Sequence, residues 1–198
     1  YIRADGRSFY LSPKVLELGY SYLGSLNLTD LTQPLVEELS RQLNESCSLA
    51  VLDGHDIVYV VRVPVRRIMT VSLGIGARLP AFCASLGRVL LSGLSAGELK
   101  TWLNELQPEK FTPHTLTQKE KIRAAIELTR QQHFSYVEQE LELGLCSMAV
   151  PILDPQGRVM AALNVSTPYR PDVADYARNT LLPALQKAAK EIEKSIHR

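Results

Sequence analysis

Between Ile57 and Gly97 the sequence holds Arg62, Arg66, Arg67, Arg78 and Arg88 but no Asp, Glu or Lys. A guanidinium is planar, permanently charged and forked, so it suits carboxylates and phosphates better than an ammonium does. Some of these arginines must pair with acidic residues of the surface, and the run Glu138, Glu140, Glu142 is the obvious source. A second reading is an anion site. A helix is expected to start near Ala84-Ser85-Leu86-Gly87, where free backbone N–H groups favour a negative ligand. Nucleic acid is a third reading, but no aromatic residues interleave these arginines as base stacking requires. Other chemistry finds less support. His55, His114, His133 and His197 are scattered with no acid or cysteine at ligand spacing on a common face, so no metal and no cofactor is expected. There is no Gly-x-Ser-x-Gly elbow, and Gly74-Ile75-Gly76 lacks the third glycine of a dinucleotide loop. Cys83 and Cys146 are candidate nucleophiles, but free cysteine is usually buried packing. No base and orienting group can be assembled around either, and an enzyme is not expected.

The elements that must position these groups are legible from periodicity. Asp5-Gly6 marks a hairpin turn after a strand of only four residues. This stump reads equally as the end of an upstream domain or as a frayed hairpin on the main body. Ser12-Pro13 opens a helix with a stripe at Val15, Leu18, Tyr22 and Leu26. Asp30 with Gln33 starts a second, whose ridge is Leu31, Leu35, Leu39 and Leu43. Segments 48–52 and 57–63 form a hairpin around Asp53-Gly54-His55-Asp56, and 68–73 reads as a third strand. Helices follow over 84–94, from the cap at Ser95, and from a capping box at Thr117 and Glu120 to about Gln132. Segment 134–137 reads as a strand, and 148–153 pairs with 159–165 around Asp154-Pro155-Gln156-Gly157. The C-terminal helix begins at Asp172, and Pro183 must kink or restart it. Hairpin-paired strands with helices between them predict an α+β fold, an antiparallel sheet flanked by helices.

The 45% apolar and 22% charged composition over 198 residues is that of a globular chain able to bury its own core. With 22 basic and 21 acidic residues there is no overall charge to attract nucleic acid. Apolar runs are only a few residues long, so no membrane span is expected. Three dispersed cysteines argue for a reducing, cytoplasmic setting.

The segment Gly76-Ala77-Arg78-Leu79-Pro80-Ala81-Phe82-Cys83-Ala84-Ser85-Leu86-Gly87-Arg88-Val89-Leu90-Leu91 resembles the loop-and-helix signature of IclR-type bacterial transcriptional regulators. A second block resembles the same family's C-terminal signature. It has Glu140, Gly144, Ser147-Met148-Ala149-Val150-Pro151-Ile152 and Asp154, and closes with Ala161-Ala162-Leu163-Asn164-Val165-Ser166. The resemblance implies a GAF-like effector-binding domain over residues 27–198. Residues 1–26 then resemble the wing and linker helix that follow the family's winged helix-turn-helix. It further implies operator DNA as a partner, contacted through an N-terminal winged helix-turn-helix absent from this chain, and assembly as a homodimer or homotetramer without a membrane. Arg66-Arg67-Ile68-Met69 with Ala81-Phe82-Cys83 is most similar to the branch that controls aromatic-acid catabolism.

Carried onto this sequence, the family's pocket gives Ile68, Val71, Leu79 and Val137 as an apolar wall. Ser85 and Leu86 stand at a helix start with their amides toward the ligand, and Ser147, Asn164 and Ser166 form a hydrogen-bonding floor. Each of these also has a plain structural use in any sheet of this kind. Phe82 stands where many members have His, giving an aromatic, uncharged rim. Val137 replaces a frequent Asp or Ser, Ser147 a frequent Cys and Asn164 a Ser. Those departures imply a wider, less acidic cavity, suited to an aromatic acid or a β-ketoadipate-like dicarboxylate. Arg78 and Arg88 flank the helix start, and one of them is expected to reach the ligand's carboxylate. The expected function is ligand sensing for a transcriptional regulator of catabolic genes. The rivals are a stand-alone small-molecule-binding module and an enzyme acting on a small organic acid.

Overall fold

Alternation in the strands decides the layers. In Ser46-Cys47-Ser48-Leu49-Ala50-Val51 one face carries small residues and the other carries Cys47, Leu49 and Val51. The computed structural model describes residues 1–25, 28–65 and 74–196, without the side chains of Tyr20 and residues 22–30. Strands β1 (Ile2–Asp5) and β2 (Ser8–Leu11) form a separate hairpin, followed by helices α1 (Val15–Ser25) and α2 (Leu28–Leu43). The main sheet contains β3 (Ser46–Asp53), β4 (Asp56–Val63), β5 (Arg78–Pro80), β6 (Ser135–Glu138), β7 (Leu145–Leu153) and β8 (Val159–Pro168). Its order is β5-β4-β3-β8-β7-β6, antiparallel throughout. Helices α3 (Ser85–Ser92), α4 (Ala96–Glu105) and α5 (Lys119–Gln132) lie between β5 and β6 in sequence, and α6 (Val173–Tyr176) and α7 (Leu182–Ile196) close the chain.

The large residues Cys47, Leu49, Val51, Met148, Val150, Leu163 and Val165 pack under α2 and α7 with Val36, Leu39, Leu185 and Ile192. The opposite face offers Ala50, Ala149 and Ala162, and α3 settles on these small residues with α4 and α5 outside it. Gly87 permits the close approach of a 3₁₀ turn at Ala81–Cys83, since a Cβ there would lie 2.0 Å from the Ala81 carbonyl oxygen. Buried from Cys47 to Val51, β3 runs through the middle of the α+β fold, and the antiparallel sheet is as expected.

Several boundaries differ from the sequence reading. The helix after Ser12-Pro13 begins at Val15, after a tighter turn in which the Val15 N–H donates to the Ser12 carbonyl (3.0 Å). Helix α2 starts at Leu28, which leaves Pro34 inside it rather than in its first turn. Thr117 and Glu120 form no capping box, because α5 starts at Lys119 with Gln118 as an uncapped N-cap. The Ser95 box does form, with the Glu98 N–H donating to Ser95 Oγ and the Ser95 N–H to Glu98 Oε2. The expected strand over 68–73 lies outside the described residues. Pro183 acts as expected. A π-helical stretch at Ala177–Leu181 precedes it and absorbs the missing N–H before α7 proceeds.

Candidate functional site

The small-residue face of the sheet turns polar beyond the reach of α3. Cross-strand register sets Arg62 beside Ser48 and Ser48 beside Asn164. In the adjacent row Ser46, Ser166, Ser147 and Val137 run side by side. Because α3 ends over the alanines, this floor is left under a cavity of about 440 Å³. Ala84, Ser85 and Leu86 at the start of α3 form one wall, with Cys83 beside them, and the connection from Glu140 to Leu145 forms another. Tyr59, Leu79 and Val65 complete the apolar surface.

Among the described residues, four buried side-chain polar atoms have no hydrogen-bond partner, and three of them belong to residues that line this cavity: Arg62 Nε, Ser85 Oγ and Asn164 Oδ1. An unpaired buried polar group costs about 1–3 kcal/mol, so three such atoms on residues around one cavity suit a polar ligand that reaches them. Arg62 is held by its Nη1, which donates to Ser48 Oγ at 3.1 Å, and its guanidinium lies over the Tyr59 ring at 4.9 Å. Asn164 Nδ2 donates to Ser166 Oγ at 3.1 Å, which leaves the amide oxygen without a partner. The N-cap of α3, Ala84, is extended and supplies no side-chain acceptor, so the first amides of the helix have no partner from a cap. Glu45 lines the cavity too, its carboxylate accepting from Thr167 Oγ1 at 2.7 Å. Burial pushes the Tyr59 hydroxyl above its ordinary range and the Cys83 thiol up to about 12, the latter helped by the nearby Glu140 carboxylate.

The structure brings Leu79, Ser85, Leu86, Val137, Ser147, Asn164 and Ser166 together around this one cavity. Ile68 and Val71 lie outside the described residues. Arg78 must be corrected. It does not line the cavity, because its guanidinium is held on the outside by Asp53 (2.6 Å) and Asp56 (3.0 Å) at the ends of β3 and β4. Arg88 is likewise committed, in a buried pair with Glu140. Phe82 forms no rim; it is buried in the 3₁₀ turn and faces Phe111, with ring centroids 6.3 Å apart. Among the described residues the cation that lines the cavity is Arg62, one of the five arginines of the Ile57–Gly97 stretch but not one of the expected site residues. Its signal was available, since it is a charge within the otherwise apolar or aromatic stretch Ile57–Val63.

A sheet covered on both faces, with a polar-floored cavity at a helix start, defines a small-molecule-binding α+β domain. The chain belongs to the IclR family: residues 20–194 match the family's "Bacterial transcriptional regulator IclR C-terminal" domain. It is 41% identical over 193 residues to the Pca regulon regulatory protein of Pseudomonas putida, covering 97% of this chain. It spans 66% of that relative's own length. A transcriptional regulator from Rhodococcus sp. RHA1 superposes with a TM-score of 0.88 at 46% identity, over 99% of this chain and 78% of that one. The inducer-binding domain of PobR from Acinetobacter, solved as a double mutant with 3-hydroxybenzoic acid, superposes with a TM-score of 0.77 at 31% identity, over 84% and 97% of the two chains. Among the described residues no helix is long and apolar enough to cross a membrane.

Proposed function

We propose that this domain binds an aromatic monocarboxylic acid in the cavity at the start of α3. Its occupancy would set the operator affinity of a longer regulator, read out in the cytoplasm on genes for aromatic-acid breakdown. The observation that carries the reading is that Arg62, Ser85 and Asn164, each with a buried side-chain atom lacking a partner, line one cavity. Arg62 supplies the counter-charge to the carboxylate, and the amides at Ser85 and Leu86 add donors. Asn164 and Ser147 meet the ring's hydroxyl. The relative's role in the Pca regulon and the hydroxybenzoate in the PobR complex support a ring acid. Residues 27–198 form the sensor, and residues 1–26 are the arm that joins it to the operator-binding part.

No catalysis is part of this function. A thiol raised to about 12 supplies no nucleophile at neutral pH, and no histidine is among the cavity's lining residues.

Calorimetric titration with 4-hydroxybenzoate, 3-hydroxybenzoate, protocatechuate and β-ketoadipate tests the assignment. The ring acids are expected to bind and to be recovered unchanged. Arg62→Met removes a charged hydrogen bond of about 1.5–3 kcal/mol and is expected to weaken binding about ten- to a hundredfold. Ser147→Leu fills the floor and is expected to abolish binding with the fold intact. Equal binding of one acid by all three proteins places the site elsewhere, preferential binding of β-ketoadipate replaces the ring acid as ligand, and steady turnover makes the domain an enzyme.

A further inference from the structure

Arg88 and Glu140 lie in separate sequence blocks, 52 residues apart, yet their side chains meet with only 6% and 8% exposure. Arg88 Nη2 lies 2.7 Å from each carboxylate oxygen of Glu140, and its Nε donates to the Phe82 carbonyl at 3.1 Å. A buried ion pair loses so much hydration that apolar residues of similar volume often hold a fold equally well. Its contribution to stability therefore does not account for its place here.

Its place relative to the cavity does. Phe82 adjoins Cys83 and Ala84, which form one wall; Glu140 begins the connection to Leu145, which forms the other. One guanidinium thus holds both walls. The Glu140 carboxylate also accepts from the Leu116 N–H at 3.2 Å, and its carbonyl accepts from Thr115 Oγ1 at 2.6 Å. Thr112 Oγ1 donates to the Gln139 carbonyl at 2.6 Å, where the chain turns through a left-handed residue at φ 56°. Beyond Glu140 the connection has exposed Glu142, Leu143 and Gly144 and contributes little to the core.

We propose that Arg88 and Glu140 are positioning residues that fix the width of the effector cavity by joining its two walls. The proposal rests on the cavity being the effector site. It deepens that reading by naming what sets the site's shape before a ligand arrives. A rigid, preformed wall spares the ligand the cost of ordering it.

The test uses Arg88→Met with Glu140→Leu in one 198-residue chain, because removing one charge alone would strand the other in the interior and threaten folding. The double variant is expected to melt within about 4 °C of wild type. Amide hydrogen exchange without ligand reads the wall directly: residues 141–145 are expected to exchange at least tenfold faster, while the amides of β7 beyond Met148 and of β8 keep their protection. Affinity for whichever ring acid wild type binds is expected to fall at least tenfold. Unchanged exchange over 141–145 overturns the proposal, whether or not affinity falls, and so does a faster-exchanging wall with unchanged affinity. If wild type binds no acid while the exchange result holds, the wall is as proposed and it is the effector reading that fails.

Discussion

Cys83 sits at the cavity and yet is chemically quiet. Its thiol is fully buried, donates only weakly to the Pro80 carbonyl at 3.7 Å, and has its ionisation pushed from 9.0 to about 12 by burial. Cys47 is raised to about 12 for the same reason, with the Glu45 carboxylate adding to it. Raised pKa values favour the protonated form in the folded state. The stability they confer is complete below pH 9 and is lost as the pH rises from about 9 toward 12. Two outcomes are expected. Iodoacetamide at pH 8 should alkylate Cys83 slowly in the folded protein and rapidly in urea, followed by mass spectrometry of the Cys83 peptide. The urea midpoint should also fall between pH 9 and 11. Fast alkylation in the folded state at pH 8 would mean that the thiolate is accessible, and would restore Cys83 as a nucleophile. Among the arginines, residue type alone pointed to anion binding but not to the residue. Arg78 and Arg88 are neutralised by partners 22 to 52 residues away in sequence; the acidic run at Glu138, Glu140 and Glu142 pointed to the partner of Arg88, whereas folding alone reveals Asp53 and Asp56 as those of Arg78.

At the scale of elements, α3 is the pivot, and Gly87 explains how it can lie so close to its own lead-in. An added Cβ would meet the Ala81 carbonyl oxygen at 2.0 Å and its Cα at 2.4 Å, both backbone atoms that cannot rotate away. Alanine is the better helix former by about 1 kcal/mol, but crowding against backbone opposes it and wins. Gly87→Ala is therefore expected to destabilise the domain by about 1–3 kcal/mol in urea unfolding and to disturb the cavity wall at Cys83 and Ala84. A variant as stable as wild type would mean that the 3₁₀ turn gives way freely. The elements themselves were legible wherever local chemistry decides them. The turns Asp53-Gly54-His55-Asp56 and Asp154-Pro155-Gln156-Gly157, the Ser95 box and the break before Pro183 all depend on residues within one turn of each other. The Thr117 start does not hold, because α5 begins two residues later, at Lys119 behind an uncapped Gln118. The placing of β3 between β4 and β8 depends on strands more than 100 residues apart, so the polar rows at the cavity floor could be listed by residue but not assembled. The alternation Ser46-x-Ser48-x-Ala50 against Ala162-x-Asn164-x-Ser166 was the trace of that floor, visible as small residues where a buried sheet normally carries branched ones.

For the whole molecule, the core and the N-terminal elements obey different rules. The sheet is covered on both faces, whereas every residue of β1 and β2 is exposed, including Ile2 at 68%, Phe9 at 76% and Leu11 at 67%. Helix α1 likewise carries Leu16 and Leu18, both more than half exposed. A two-stranded hairpin alone is marginal in water, and exposed apolar side chains this numerous on the N-terminal elements mark a contact. We propose a second copy of the chain as its partner, in a homodimer or homotetramer. With 22 basic and 21 acidic residues the chain has little net charge to drive association, so the contact is expected to be apolar and insensitive to salt. Sedimentation velocity at micromolar concentration should show a dimer or larger species at both 0.1 and 1 M NaCl. Phe9→Lys combined with Leu16→Glu should shift it toward monomer without moving the melting of the core. A wild-type chain that sediments only as monomer removes the self-association, and one that dissociates at 1 M NaCl assigns the contact to charge rather than to this apolar surface.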